Sequence, residues 1–112
     1  MCIRDRPIDA EALGALVTEQ TERAPDPVLD RAAGFGLGFM VDLAAHDFGS
    51  RCSPSSFGHG GFAANAWAFA DPEHDLVVAY CQSARFAADR AIFGVREPLV
   101  DRVYDALIPV AP

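Results

Sequence analysis

The stretch SFGHGGFAANAWAFADPEHDLVVAY, from Ser56 to Tyr80, decides the fold that the sequence predicts. From Phe62 onward small residues alternate with bulky ones, which is the period-two pattern of a strand with one small face and one bulky face. The segment Asp71–Asp75 contains a proline and predicts a turn. The apolar run Leu76–Cys81 predicts a second strand, close enough in sequence to pair with the first as an antiparallel hairpin.

A His-Gly-Gly triplet, His59 to Gly61, stands at the entry to this strand. Glycine in a strand costs conformational entropy and packs nothing, so a pair of glycines marks close approach by a ligand or by another backbone. The alternative interpretation is a glycine-rich strand entry with a solvent-exposed His59. In both interpretations the triplet lies beside the predicted sheet.

The preceding segment Gly34–Leu43 predicts a third strand, because large and small residues alternate along it. Its interleaved glycines leave one face bare, so that something large can lie flat against it. A polar loop, Ala44–Gly58, connects it to the triplet and holds Ser53, Ser55 and Ser56, for which we expect turn contacts.

Two helices flank the predicted strands. The first runs from Ile8 to about Glu22 with Asp9 as its N-cap, and two prolines in Ala24–Ala33 then predict a loop. The last helix begins near Pro98, shows an apolar face at helical spacing, and stops at Pro109. The order predicts an α+β fold: an antiparallel three-stranded sheet with the N- and C-terminal helices packed on it.

Composition bounds the possible functions. The chain has 112 residues, enough for one domain with a modest core, and a formal net charge of −7 from 16 acidic and 9 basic residues. An acidic chain without a basic stripe is a poor candidate for binding nucleic acid or anionic membrane, and no apolar run approaches the length of a membrane segment. All nine basic residues are Arg, so a catalytic Lys is excluded from this chain.

Cysteine and histidine spacing does not indicate a metal. The three cysteines lack paired or CxxC spacing; Cys81 follows an apolar run and is expected to be a buried free thiol, although Cys52 could pair with it. The combination of the three histidines with Cys52 and Cys81 could form a metal site, but its spacings of 6, 7, 15 and 7 match no familiar ligand pattern. Its members are His46, Cys52, His59, His74 and Cys81.

The order of FGLGF, FGHGG, an alternating strand, ADPEHDLVVAY and a terminal amphipathic helix resembles the C-terminal part of the serine β-lactamase and penicillin-binding-protein-like hydrolases. The resemblance is to the esterase-type, β-lactamase-related branch in particular. It covers nearly all of the chain from Ile8 onward, but only a minor, C-terminal share of the family's domain. It implies that the predicted sheet is part of a β-lactamase-like α/β sandwich.

The resemblance also implies roles for the triplet, because a Lys-Thr-Gly or His-Gly-Gly triplet lines the active site in that family. His59 stands at the Lys position, Gly60 at the Thr position and Gly61 at the last Gly, so these three form an active-site wall. The backbone N–H of Phe62 would belong to the oxyanion hole, fixed where negative charge develops. The implied substrate is a small-molecule ester or amide, and no metal or organic cofactor is implied.

The chain departs from the family where the nucleophile is expected. A Ser-x-x-Lys motif cannot occur without Lys, and neither Tyr80-Cys-Gln nor Tyr104-Asp-Ala matches a Tyr-x-Asn motif. We therefore expect no catalytic residue in this chain. We also expect the partner of this chain to be the N-terminal part of the same domain, which is missing here. MCIRDR, residues 1–6, resembles a translated adapter; residues 7–112 are then the C-terminal portion of the hydrolase domain, unless the short polar N-terminus is real.

Two other hypotheses stay open. In the first, the chain is a small, non-catalytic α+β module for interaction or dimerisation. In the second, it is part of a pseudoenzyme that lacks the nucleophile throughout. The fragment hypothesis predicts uncovered strand edges and an uncovered apolar sheet face, whereas the module hypothesis predicts a soluble domain that unfolds cooperatively. The sequence leaves the cellular compartment unassigned.

Overall fold

The computed structural model describes residues 8–27, 30–61, 65–83 and 89–108, and the side chains of these residues except 89–93. The expectations for residues 1–6, for Phe62 and for Pro109 therefore lie outside the described residues. Two helices and seven strands occur in the described part of the chain. They are α1 (Ala10–Val17), β1 (Pro25–Asp26), β2 (Arg31–Ala32), β3 (Gly34–Phe35), β4 (Met40–Val41), β5 (Phe57–Gly60), β6 (Ala66–Asp71), β7 (Leu76–Cys81) and α2 (Asp89–Leu107).

The predicted α+β class is confirmed. The main sheet is antiparallel and has five strands in the order β3-β4-β5-β6-β7, so each strand pairs with its neighbour in sequence. The sheet therefore has two strands more than the sequence predicts. A separate two-stranded ladder, β1 with β2, occupies Ala24–Ala33, where the prolines had predicted a loop.

The additional strands come from chain reversals at glycines. Gly34–Leu43 is a tight hairpin rather than one strand, because Gly36 N–H donates to the carbonyl of Phe39 at 2.8 Å and Gly38 adopts a φ of +95°. A Cβ on Gly36 would lie 2.1 Å from the backbone oxygen of Leu16, so only glycine fits there. The alternation that predicted a strand is thus the alternation of a glycine-containing turn.

The triplet also lies on a strand of its own. β5 ends at Gly60, Gly61 N–H donates to the carbonyl of Ala66 at 2.7 Å, and the next strand begins only at Ala66. The predicted strand is therefore confirmed from Ala66 onward; Asn65 lies outside it, and residues 62–64 lie outside the described residues. Its hairpin with β7 is confirmed over the full length of both strands.

The two helices differ from their predicted bounds. Asp9 is the N-cap of α1 as predicted, with its side chain accepting from Ala12 N–H at 2.7 Å, but α1 ends at Val17 because Thr18 is extended and the chain runs on to bond β3. Helix α2 begins at Asp89, nine residues before the predicted start, with Pro98 inside it. Pro98 is solvent-exposed, so packing of the opposite side of α2 outweighs the cost of an interior proline.

One face of the sheet carries the core, and we call it the helix face. Trp67 and Phe69 of β6 are buried there with Phe48, and α2 covers them with Val100 and Tyr104, which lie one helical turn apart. The predicted bulky side of β6 is therefore confirmed. Helix α1 has no buried residue, so α2 is the helix that builds this core.

Candidate active-site wall

The second face of the sheet, which we call the open face, carries the His-Gly-Gly strand. His59 pairs with Ala68, and Ala68 with Ala79, so these three side chains project from the sheet on the side away from Trp67 and Phe69. All three are exposed, whereas their neighbours on the helix face are buried or half-buried. The small side chains predicted for one side of β6 thus line a surface and not a core.

Two adjoining depressions follow from these small side chains. One, of about 390 Å³, is bounded by the triplet and by Ala66, Ala68 and Ala79. The other, of about 190 Å³, shares Ala68 and is bounded by aromatic and aliphatic side chains. These include Phe39, Phe57, Ala70 and Val77. A strand bearing larger residues in place of the alanines would fill the first depression.

His59 has a defined arrangement in the larger depression. Its Nδ1 lies 2.7 Å from the carbonyl oxygen of Gly60, and a carbonyl only accepts, so Nδ1 is the donor. Nε2 is then the acceptor nitrogen of the neutral imidazole. An exposed imidazole held in one tautomer can accept a proton or a hydrogen bond from a group placed over this face.

The glycines of this strand face the helix side. A Cβ on Gly58 would lie 2.4 Å from the carbonyl oxygen of Ala68, so glycine is needed for β5 and β6 to approach. A Cβ on Gly60 would lie 3.4 Å from Nη1 of Arg96, which places the missing side chain against α2. Gly60 therefore lines the open depression with its backbone, and the space that its missing side chain leaves is on the opposite face.

Arg96 is the buried cation behind the triplet. It is 5% exposed, its Nε donates to the carbonyl of Asp47 at 3.0 Å, and its Nη2 donates to that of His46 at 2.6 Å. The guanidinium carbon lies 3.9 Å from the ring centroid of Phe48, a close cation–π contact. Desolvation by burial lowers the pKa of Arg96 from its ordinary value.

A buried carboxylate anchors the far end of β6. Asp71 is fully buried and accepts from Ser53 N–H and Oγ, from Tyr104 Oη at 2.5 Å and from His74 Nδ1 at 3.0 Å. Desolvation would raise the pKa of Asp71, but the hydrogen bonds from Ser53 and Tyr104 outweigh it and lower the pKa to about 2. This cluster joins the 53–56 loop to α2.

The serines of the polar loop, for which turn contacts were predicted, bond within the loop and to Asp71. Ser53 bonds Asp71, and Ser56 Oγ donates to the carbonyl of Ser53 at 2.6 Å and accepts from Leu43 N–H. Buried His46 bonds the carbonyl of Gly34 through Nε2 at 2.8 Å, and desolvation lowers its pKa. No group of three or more His, Cys, Asp or Glu side chains in the described ranges is arranged to hold a metal ion.

The two described cysteines are the reverse of what the sequence predicts. Cys52 is the buried thiol and Cys81 the exposed one, and both are free, so they do not pair. Burial raises the pKa of Cys52 to about 11. Cys81 lies at the end of β7, where its side chain is on the open face.

In the described part of the chain, no helix is long and apolar enough to cross a membrane.

The predicted wall residues His59, Gly60 and Gly61 lie together at one depression, while Phe62 lies outside the described residues. Sequence reasoning missed Arg96, because the last helix was predicted to begin after it. The spacing of Arg96, Val100 and Tyr104, four residues apart each time, is the signal that identifies the buried side of α2.

Comparison with known proteins gives one result for this chain. A family model described as beta-lactamase matches residues 3–93, a range that contains the whole sheet, the triplet and the first turn of α2. No curated protein and no solved structure matches the chain.

Proposed function

The chain belongs to the beta-lactamase family, and from that premise we propose that its open face is one wall of an acyl-transfer site in a serine hydrolase, of esterase type. The nucleophile and its base belong to a preceding part of the same domain. In this proposal the 112-residue chain is inactive alone, because a Ser-x-x-Lys motif cannot occur in a sequence without Lys.

The observation that carries the proposal is the position of His59. It stands exposed beside alanines and glycine backbone, at the edge of a depression of about 390 Å³. A structural histidine on a solvated sheet face needs no such recess. The depression is open on the side away from α2, where a further layer of protein can bring a serine and complete the pocket.

The chemistry that we propose is two acyl transfers. The serine oxygen attacks the carbonyl carbon of an ester, its proton passes to a base outside this chain, and the carbonyl oxygen becomes an oxyanion. Collapse expels the alcohol with a proton, and water then attacks the acyl-enzyme and releases the carboxylic acid and the serine. The backbone N–H of Phe62 would donate to the oxyanion, and Nε2 of His59 would accept a hydrogen bond in the pocket.

The experiment uses the longer reading frame. The DNA that precedes the codon for Pro7 is sequenced, the uninterrupted frame is expressed, and hydrolysis of p-nitrophenyl acetate is measured for the native protein and for His59→Ala. We expect a Ser-x-x-Lys motif in the added sequence and a loss of about 10- to 100-fold in kcat/KM for the variant, because a hydrogen bond made in the pocket is lost.

Arg102→Ala is the control, because Arg102 is exposed on α2, on the other side of the sheet from the His59 depression. It should leave both kcat/KM and the melting temperature unchanged. A frame that begins at Met1 after a stop codon, or a His59→Ala enzyme with full activity, would contradict the proposal.

A second candidate function, an interaction module, is favoured by one observation at the edge of the sheet. Gln82 N–H bonds the carbonyl of Asn65, so by antiparallel alternation the N–H and C=O groups of Val77, Ala79 and Cys81 point away from β6. β7 carries no charge that would deter strand pairing. A reversible, cooperative melt of the purified 112-residue chain at a concentration-dependent temperature would favour this function over the first.

A further inference from the structure

We infer that Arg96 is a positioning residue for the proposed acyl-transfer site, holding the His-Gly-Gly strand from behind; the inference rests on the proposed function. Arg96 lies on the helix face of the sheet, on the side away from the open face. It acts through the backbone of Gly60 and Gly61.

The burial of Arg96 needs a reason. Arginine is almost never fully buried unless its donors are satisfied, since an unsatisfied buried charge is very costly. Arg96 is nevertheless 5% exposed and lies on the same side of α2 as Val100 and Tyr104. A leucine or methionine at this position would cover the sheet without that cost, so packing alone does not account for an arginine.

The guanidinium is held in a fixed orientation. Nε and Nη2 each donate to a backbone carbonyl, those of Asp47 and His46, and the plane rests on the ring of Phe48. Two parallel donors and a stacked face define the orientation of a planar group, which a flexible ammonium could not match. The third nitrogen, Nη1, is thereby fixed as well.

Nη1 is fixed beneath the triplet. It lies 3.4 Å from the place where a Cβ on Gly60 would be, which is van der Waals contact distance. An alanine methyl would therefore just fit, whereas any larger side chain would occupy the space of the guanidinium. His59 projects from one side of β5, and the guanidinium lies on the other side, behind the next residue.

The position of Arg96 bears on the reaction through the strand. Gly61 N–H closes the turn onto the carbonyl of Ala66, and the chain continues to Phe62, for which the proposal assigns the oxyanion N–H. A donor of this kind works because it is held in place before charge develops. The fixed guanidinium behind Gly60 limits how far this part of the strand can move toward α2.

The first test needs no activity. Amide hydrogen exchange is measured on the full chain for Arg96→Met, Arg96→Lys and the control Arg102→Met, an exposed arginine of the same helix. We expect exchange at Gly61 to be at least about tenfold faster in Arg96→Met, with Val103 and Tyr104 in α2 unchanged. Unchanged exchange at Gly61, or an equal increase at every amide, would overturn the positioning role.

The second test uses the longer hydrolase. Arg96→Met should lower kcat about tenfold with KM within about twofold, since the strand geometry matters in the transition state and not for binding. Arg96→Lys should recover part of that loss, and Gly60→Val should reproduce it. Native kcat in Arg96→Met would overturn the inference, whereas an inactive native protein would overturn the proposed function and leave the exchange result to decide on Arg96.

Discussion

The two faces of the five-stranded sheet differ in what covers them. The helix face carries Trp67, Phe69 and the fully buried Asp71, all under α2 or the loops beside it. The open face carries exposed alanines, His59 and Val77, which is 78% exposed. The same strands supply both faces by alternation, so the difference shows where this chain stabilises itself and where it offers a surface to something else.

The largest contrast is expected between substitutions on opposite faces of one strand pair. Phe69→Ala should lower the free energy of unfolding by roughly 3 to 5 kcal/mol, because it leaves a cavity between β6 and α2. Val77→Ala, on the other side of the ladder, should change it by less than about 0.5 kcal/mol. Chemical denaturation of both variants measures the difference, and similar values would mean that the open face is also a packed core.

The thiols should differ nearly as much. Cys52 is buried with a pKa raised to about 11, and Cys81 is exposed on the open face. In a Cys2→Ser background, iodoacetamide at pH 8 should modify Cys81 at least about 100-fold faster than Cys52, because both thiolate formation and access disfavour Cys52. Peptide mass spectrometry over time gives the two rates. Equal rates would mean that the Cys52 thiol is as accessible and reactive as the Cys81 thiol on the open face.

The buried carboxylate predicts a pH dependence. The pKa of Asp71 is lowered to about 2 from 3.8, so the folded state binds its proton more weakly than the unfolded state does. This stabilisation is complete above about pH 4 and is lost as the pH falls to about 2; it amounts to about 2 kcal/mol.

Tyr104→Phe removes one donor to Asp71, which should cost roughly 2 kcal/mol at pH 7 and narrow that acid-sensitive window. Urea unfolding of the native and variant chains between pH 2 and pH 7 measures both effects. Parallel pH profiles for the two chains would show that Tyr104 does not bond the carboxylate.

The last two predictions concern glycines, and the smaller effect is expected at Gly14. Gly58→Ala should destabilise by roughly 1 to 3 kcal/mol, since its Cβ would collide with β6 on the helix face. Gly14→Ala in α1 meets nothing within 4 Å and should stabilise by about 0.5 to 1 kcal/mol. Thermal unfolding of both variants measures the two changes in stability. A neutral Gly58→Ala would mean that β5 and β6 are farther apart than described.

The sequence predicts the parts of this molecule that are set by local pattern. The β6–β7 hairpin and the N-cap Asp9 follow from alternation and from capping chemistry, and both are confirmed. The split of Gly34–Leu43 into a hairpin does not follow, because glycines in alternation fit a bare-faced strand as well as a turn. The start of α2 depends on packing of Arg96 and Val100 against the sheet, which outweighs the local signal of Pro98.

The residues of the candidate site also divide into those that the sequence pattern predicts and those that depend on tertiary packing. The triplet is visible in the sequence because histidine before two glycines is unusual at a strand entry. Arg96 is not, because it lies 36 positions from Gly60 in the sequence, and its place behind that glycine depends on how α2 lies across the sheet. Asp71 was predicted as a turn residue, and its burial arises from the approach of Ser53 and Tyr104.

The most direct test of the acyl-transfer site is to find which serine reacts with a fluorophosphonate in the protein expressed from the uninterrupted reading frame. The label, located by mass spectrometry, should lie on a serine that precedes Pro7, and His59→Ala should slow the labelling about 10- to 100-fold. A label on Ser53, Ser55 or Ser56, or no label at all, would contradict the assignment of the open face as the wall of that site.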